Sequence, residues 1–134
     1  VIADDSGLVV EALNGEPGIY SARFAGEEAT DEENVNLLIE KMQDKTNRTA
    51  HFHCSLVYVS ENYVNNPIIV ESKWRGVISN KKVGNYGFGY DPVFFLPNFN
   101  KTAAELSSIE KNKISHRGQA MELLINKLHS NKLI

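Results

Sequence analysis

The chain has 134 residues, 42% of them hydrophobic and 23% charged, so it is long enough for one domain with a hydrophobic core and too short for two. Its net charge is -3 with both signs interspersed, which excludes a global positive field that would attract nucleic acid or an anionic membrane. No apolar run approaches the roughly 18 residues that a membrane-spanning helix needs. We therefore expect a globular protein without nucleic-acid or membrane partners.

An apolar run at the start of the chain ends in the acidic motif Asp4-Asp5-Ser6-Gly7, and a second apolar run follows it. We predict a strand on each side of this motif, at residues 1–4 and 8–12, with an acidic turn between them. Neighbouring side chains of a strand point to opposite faces, so one acid can face a cleft and hold a metal ion or a water molecule. An ordinary turn whose side chains bond to their own backbone is the alternative.

The middle of the chain predicts a helix and a hairpin. Thr30 and Glu33 form a capping-box pattern, and apolar residues follow at helical spacing, so we expect a helix to begin here. Apolar stretches at residues 51–60 and 68–74 flank a loop at residues 61–67, which predicts an antiparallel hairpin. The single cysteine lies in the first stretch, and we interpret it as a buried thiol of a protein from a reducing compartment.

The last third of the chain predicts helices. Capping patterns at residues 102–105 and 107–110 indicate two helix starts, and a final helix is expected just after Ser115. The apolar stripe of that helix consists of Ala120, Leu123, Leu124 and Leu128. Strands mixed with helices, with at least one antiparallel pair, indicate an α/β or α+β layered fold, which we expect to form a single domain over residues 1–134.

The segment Gly87-Phe88-Gly89-Tyr90-Asp91-Pro92 combines two glycines, two aromatic rings and an acid. Glycines let the backbone approach a ligand closely, and an aromatic ring can stack on a nucleobase, which contributes about 1–3 kcal/mol. The acid can accept hydrogen bonds from ring N–H groups. A glycine-rich turn whose rings join the core is the alternative.

The segment Ser115-His116-Arg117-Gly118 opens the last predicted helix. Unpaired backbone N–H groups and the positive end of the helix dipole favour an anion or a carbonyl oxygen there. Arg117 can make a paired donor contact, and His116 can donate to a keto oxygen or a phosphate. Lys111, just upstream, can extend the basic wall. The alternative is an ordinary N-cap at Ser115 with Arg117 in solvent.

Four motifs, taken together, resemble the inosine triphosphate pyrophosphatase family, which hydrolyses non-standard purine nucleoside triphosphates. They are Ile2-Ala3-Asp4-Asp5-Ser6-Gly7-Leu8, Pro17-Gly18-Ile19-Tyr20-Ser21-Ala22-Arg23, Gly87-Phe88-Gly89-Tyr90-Asp91-Pro92 and Ser115-His116-Arg117-Gly118. The resemblance implies an elongated mixed sheet with flanking helices, two lobes around a nucleotide cleft, and a cytoplasmic homodimer. It also implies hydrolysis of ITP, dITP and XTP to the monophosphate and pyrophosphate.

The resemblance further implies roles for individual residues. Asp5 would hold Mg2+ and act as the base toward the attacking water. The contacts with the substrate would come from Ser6, Phe88, Gly89, Tyr90, Asp91, Lys111, His116 and Arg117. Of these, Phe88 would stack on the purine, and donors such as Arg117 would meet its keto oxygen. We expect Asp5, Phe88 and Arg117 to converge on one cavity.

Part of the family pattern is absent from these residues: an early phosphate-binding loop and a further metal-binding acid. Both would precede Val1, and because a strand at the first residue has nothing before it to pair with, we expect this chain to be the later part of a longer polypeptide. We expect the chain alone to be weakly active or inactive and the full-length protein to be active. The alternatives are a related house-cleaning pyrophosphatase for pyrimidine or modified nucleotides and a non-catalytic nucleotide-binding module.

Overall fold

An antiparallel sheet of five strands, in the order β1-β2-β3-β4-β5, forms the centre of the structure, a computed structural model that describes residues 2–59 and 67–130. The strands are β1 Ile2–Val10, β2 Thr49–Tyr58, β3 Ile68–Ile78, β4 Phe94–Leu96 and β5 Lys101–Thr102. The predicted α/β class with flanking helices is confirmed. Every strand pairing in these two ranges is antiparallel, and the two lobes stay a prediction.

Helices lie beside this sheet where the capping patterns predict them. The α-helices are α1 Asp31–Lys41, α2 Ser108–Ile114 and α3 His116–Ser130, and the 3-10 helices are Glu11–Leu13, Gly18–Arg23, Asp91–Val93 and Ala103–Glu105. The hydroxyl of Thr30 accepts from the Glu33 backbone N–H at 3.2 Å, and the Glu33 carboxylate accepts from the Thr30 N–H at 2.9 Å. Within the described ranges, no helix combines the length and the apolar character needed to cross a membrane.

The predicted hairpin is confirmed, since β2 and β3 pair antiparallel along their whole length. Most of its loop lies at residues 60–66, outside the described residues. The side chains of β3 alternate between buried and exposed, so one face of the sheet is covered and the other is open. Cys54 is fully buried on the covered face, as predicted, and burial raises the pKa of its thiol.

Helix α3 covers part of this face with a narrower stripe than the sequence predicts. Ala120, Leu124 and Leu128 are buried against β2 and β3. Leu123 is 46% exposed, so its place in the predicted stripe is wrong. The buried residues recur at every fourth position, and Leu123 lies about one sixth of a turn to the side of Ala120 on a helix with 3.6 residues per turn.

The acidic motif predicted as a turn lies inside β1, and the prediction of two separate strands is wrong. Pairing with β2 runs without a break from Ile2 to Val10. The glycine of the motif is needed for close packing rather than for a turn, because a Cβ on Gly7 would lie 2.6 Å from the carbonyl oxygen of Gly18. The motif thus lets the 3-10 helix that begins at Gly18 approach the strand closely.

We expect Gly7→Ala to lower the free energy of unfolding by about 1–3 kcal/mol, because the new methyl group would press on a backbone carbonyl that cannot rotate away. Urea denaturation measures this change. The matched control is Ser55→Ala on β2, which should change stability by less than about 0.5 kcal/mol. A Gly7→Ala protein as stable as the wild type would show that the 3-10 helix moves away without cost.

Candidate functional site

The pleat of β1 separates the two adjacent carboxylates of the acidic motif. Asp4 and Ser6 lie on the covered face of the sheet, where Asp4 pairs with Arg117 of α3. Asp5 lies on the open face, in the same cross-strand row as Ser55 of β2. The two acids therefore have different surroundings although they are neighbours in sequence.

A cavity of about 180 Å³ lies on the covered face, between β1, α1, α3 and the loop that precedes β4; we call it the aromatic cavity. All eight residues predicted to contact the substrate line it: Ser6, Phe88, Gly89, Tyr90, Asp91, Lys111, His116 and Arg117. A larger cavity of about 620 Å³ adjoins it and shares its lining at Phe88, Lys111, His116 and Arg117. The structure thus brings these eight residues together, and their roles stay predictions.

Asp5 does not line the aromatic cavity. It is exposed and borders a cavity of about 410 Å³ on the open face, together with His53, Glu71 and Lys73. His53 Nε2 lies 3.6 Å from the Glu71 carboxylate. Ser6 lines both cavities, which lie on opposite faces of β1.

The expectation that Asp5, Phe88 and Arg117 converge on one cavity is therefore wrong for Asp5. Phe88 and Arg117 do share the aromatic cavity, and Asp4 rather than Asp5 lies on their side of the strand. The reason is the continuous strand, since a turn at the motif would have released both acids from strict alternation. Asp5, the predicted base and metal ligand, thus lies on the opposite face of β1 from the predicted purine contacts.

The loop at residues 87–91 is held by Asp91, which is 3% exposed. Its Oδ2 accepts from the Phe88 backbone N–H at 3.1 Å and also pairs with the ammonium group of Lys111. Gly87 has a φ of +74°, and a Cβ there would lie 2.1 Å from the same oxygen, so only glycine fits. This oxygen already has two donors, so Asp91 shapes the loop and is less available to ring N–H groups of a base.

Lys111 also contacts the aromatic ring of this loop. Its Nζ lies over the ring of Phe88, 4.3 Å from the centroid, at a distance typical of a cation–π interaction. The ring of Phe88 is 64% exposed, so it is available for stacking. A base that stacks on Phe88 must therefore use the other face of the ring or displace Lys111.

Two further hydrogen bonds tie the loop to distant segments. The Tyr90 hydroxyl donates to the Ser21 carbonyl at 2.6 Å, and the Gly89 N–H donates to the Asp31 carboxylate at 2.9 Å. The Ser21 hydroxyl in turn accepts from the backbone N–H of Leu8 in β1 at 2.9 Å. Burial, followed by the charge of Asp31, raises the pKa of Tyr90, which keeps its hydroxyl a donor. Sequence analysis missed Asp31 and Ser21, because they lie 58 and 69 positions from their partners.

His116 is the histidine that lines the aromatic cavity, and its ring is enclosed there. Its ring stacks on Phe52 at 4.9 Å between centroids and 16° between planes, and the residue is 8% exposed. Burial above all, and then the charges of Arg117 and Lys111, lower the pKa of His116 to about 4. Its Nδ1 has no hydrogen-bond partner within residues 2–59 and 67–130. At neutral pH the site therefore holds an uncharged imidazole with an unused polar atom.

The Arg117 side chain is held by an ion pair with Asp4 of β1. Its Nε lies 3.0 Å from Asp4 Oδ2, and the two side chains are 50% and 34% exposed. Asp4 was not predicted as a site residue. In a strand that continues through the motif, alternation places it on the same face as Ser6, and this is the signal that could have found it.

Comparison with known proteins extends over nearly the whole chain. The family model described as the Ham1 family matches residues 1–127. Proteins named dITP/XTP pyrophosphatase from Shigella flexneri and from Escherichia coli (strain K12) are each 52% identical over 131 residues, which cover 96% of this chain and 66% of theirs. The chain thus spans slightly less than two thirds of the length of these curated relatives.

Solved structures are similar to the same extent. The Staphylococcus aureus Ham1 protein matches with a TM-score of 0.93 and 46% identity, over 98% of this chain and 67% of that one. A HAM1 protein from Coxiella burnetii matches with a TM-score of 0.91 and 44% identity, over 96% of this chain and 66% of that one. At this identity the likeness extends to side chains as well as to the fold.

The depressed pKa of His116 predicts a loss of stability in acid. The folded pKa of about 4 lies below the usual value of 6.5, so the unfolded chain takes up this proton first as the pH falls. The contribution is fully present above pH 6.5 and is lost toward pH 4, by an amount on the order of 3 kcal/mol at 1.36 kcal/mol per pKa unit.

Urea denaturation of the wild type and of His116→Gln between pH 8 and pH 4 measures this loss, because carboxylates contribute equally to both proteins and cancel in the difference. We expect the wild type to lose more stability than the variant over this range. Parallel profiles would show that the pKa of His116 is the same in the folded and in the unfolded chain.

Proposed function

The chain belongs to the Ham1 family, and from this premise we propose that the protein hydrolyses the non-standard purine nucleoside triphosphates ITP, dITP and XTP to the monophosphate and pyrophosphate. The names of its relatives support this reaction. The observation that carries the proposal is the aromatic cavity, where all eight predicted substrate contacts meet beside the strand that bears Asp5. The cavity supplies a stacking ring and hydrogen-bond donors for a base, and the Asp5 carboxylate lies on the opposite face of the adjoining strand β1.

Recognition of the base would rest on hydrogen-bond donors. Hypoxanthine and xanthine present a keto oxygen at position 6, whereas adenine presents an amino group, which is itself a donor. Arg117, which can only donate, would pair with the keto oxygen and would face an unpaired contact with adenine. Each such mismatch costs about 1–3 kcal/mol, so two of them suffice to disfavour ATP strongly.

His116 would contribute as a neutral group. With a pKa of about 4 it does not add positive charge at neutral pH, so it would select by hydrogen bonding rather than by attraction to phosphate. Its unpaired, buried Nδ1 would gain a partner when a base fills the cavity. A buried polar atom without a partner is costly, so pairing it would strengthen binding of the correct base.

Asp5 would act on the phosphate side. Its exposed carboxylate borders the cavity on the open face of the sheet, where it can take a proton from the attacking water. Lys73 lines the same cavity and would attract the phosphate groups. Ser6 lies between the two cavities and would contact the nucleotide where it passes from one to the other.

Mg2+ would be held at this site by Asp5 together with the phosphates of the nucleotide. No group of three His, Cys, Asp or Glu side chains in the described part of the chain can enclose a metal ion. Mg2+ is often held by one or two carboxylates together with substrate phosphates and water, and Asp5 supplies one such carboxylate. When bound, the ion would neutralise charge that develops on the phosphates. The homodimer and the cytoplasmic location also stay predictions.

We expect the full-length protein to release pyrophosphate from ITP with a kcat/KM at least about 30-fold above that for ATP, because two mismatched donors, Arg117 and His116, would cost about 2 kcal/mol or more. The assay measures pyrophosphate and orthophosphate separately, with dUTP and dTTP as further substrates. Orthophosphate as the product, or equal turnover of ITP and ATP, would contradict the proposal. Faster turnover of dUTP or dTTP would assign the site to pyrimidine nucleotides instead.

We expect Asp5→Asn to lower kcat for ITP by about 100-fold or more, because the base toward water is removed, while ITP binding changes little. Calorimetric titration with ITP measures the binding, and the pyrophosphate assay measures kcat. Glu27→Gln, a change at an exposed acid that lines neither cavity, is the control and should leave both values unchanged. Unchanged turnover in Asp5→Asn would indicate a different base.

A further inference from the structure

We propose that Asp4 is a positioning residue that holds the Arg117 guanidinium in the orientation that reads the purine, and so sets the preference for ITP over ATP. The inference rests on the proposed function for the identity of the nucleotide. It goes further by giving a role to the first acid of the motif, which does not touch the reacting atoms. Four observations carry it.

The first observation is the position of Arg117 in its helix. Arg117 lies in the first turn of α3, next to His116, and no acidic residue lies in that turn. The positive end of the helix dipole disfavours a cation there, so helix stability does not explain an arginine at this position. The carboxylate that compensates comes from β1, where Asp4 Oδ2 lies 3.0 Å from Arg117 Nε.

The second observation is the position of Asp4 in the sheet. Its cross-strand neighbour on β2 is Leu56, which is 1% exposed and belongs to the packed face. The Asp4 side chain is 34% exposed, so its carboxylate loses only part of its contact with water at the edge of this apolar surface. Arg117, whose Nε lies 3.0 Å away, is the charged partner that compensates for that loss.

The third observation is what the pairing leaves free. The contact between the two side chains is an ion pair through Nε, and neither terminal nitrogen of Arg117 has a hydrogen-bond partner within the described ranges. The planar guanidinium therefore keeps its outer N–H groups for a ligand while the ion pair with Asp4 restricts where it lies. Because the rotamers of a long side chain are restricted before binding, less conformational entropy is lost when the base arrives.

The fourth observation links Asp4 to the border between the cavities. The Ser6 hydroxyl donates to the other carboxylate oxygen of Asp4, at 3.4 Å. Ser6 lines both the aromatic cavity and the cavity beside Asp5. This long hydrogen bond is weak, so the main effect of Asp4 is expected through Arg117.

A positioning role of Asp4 and a purely electrostatic role of its charge predict opposite changes in ITP binding when Asp4 is removed. A nucleoside triphosphate is strongly anionic, so loss of a nearby negative charge should tighten binding of ITP and ATP alike. Loss of a positioning group should instead weaken the binding of ITP, because Arg117 is no longer held against the base. The sign of the change in KM for ITP therefore separates the two effects.

The experiment is a double-mutant cycle in the full-length protein with Asp4→Ala, Arg117→Ala and the double variant, and pyrophosphate release from ITP and ATP is measured. We expect Asp4→Ala to raise KM for ITP and to lower the ITP preference about tenfold, with kcat changed much less. In the Arg117→Ala background, Asp4→Ala should have no further effect on the preference. Asp4→Asn, which keeps an acceptor for Nε, should recover part of it.

The outcomes separate this inference from the proposed function. A wild type that releases no pyrophosphate from ITP overturns the proposed function and the role of Asp4 with it. An active wild type with an unchanged preference in Asp4→Ala, or with equal effects of Asp4→Ala in both backgrounds, overturns this inference alone. Tighter binding of both nucleotides by Asp4→Ala overturns it as well, in favour of simple repulsion. Glu27→Gln, at an exposed acid that also faces an arginine, is the matched control and should leave KM, kcat and preference unchanged.

Discussion

The strict alternation of side chains along β1 is the constraint on which the arrangement of this site depends. Because the strand continues through the acidic motif, Asp4 faces α3 and Asp5 faces the opposite side of the sheet. One carboxylate is thereby paired with an arginine, and the other borders the cavity on the open face. Two identical side chains, adjacent in sequence, acquire different chemistry without any change in the backbone conformation between them.

The aromatic cavity is built by contacts between segments that are far apart in the chain. The loop at residues 87–91 is closed by Asp91, fixed to α1 through Asp31 and fixed to the segment before α1 through Ser21. His116 is enclosed by aromatic rings and kept neutral by burial. A cavity made in this way has a defined shape before a ligand arrives, which lowers the entropic cost of binding.

The sequence was sufficient to predict those elements whose cause is local. The capping box at Thr30 and the one at residues 107–110 gave correct helix starts, because the donors and acceptors involved lie three residues apart. The alternating stretches gave the hairpin. The prediction of a turn at the acidic motif was wrong because the residues of the motif are typical of turns. Its glycine is instead required by the close approach of the Gly18 carbonyl, a contact that local patterns do not reveal.

The site was predictable in part for the same reason. The family resemblance identified the residues that line the aromatic cavity, but it could not tell which of the two adjacent acids faces that cavity. That depends on which side of the sheet α3 covers, a tertiary property. Asp31 and Ser21 act on the loop through backbone groups, and a sequence pattern carries no trace of such partners.

The contact of Lys111 with the ring of Phe88 means that the aromatic surface of this site is not vacant before a ligand binds. On the face that Lys111 covers, the net gain from a stacked purine would be a difference between two ring contacts, minus the work of moving an ammonium group that Asp91 also attracts. A base that stacks weakly would gain little from such an exchange. A large flat ring system would gain most, so competition for one ring would favour purines over pyrimidines before any hydrogen bond to the base is formed.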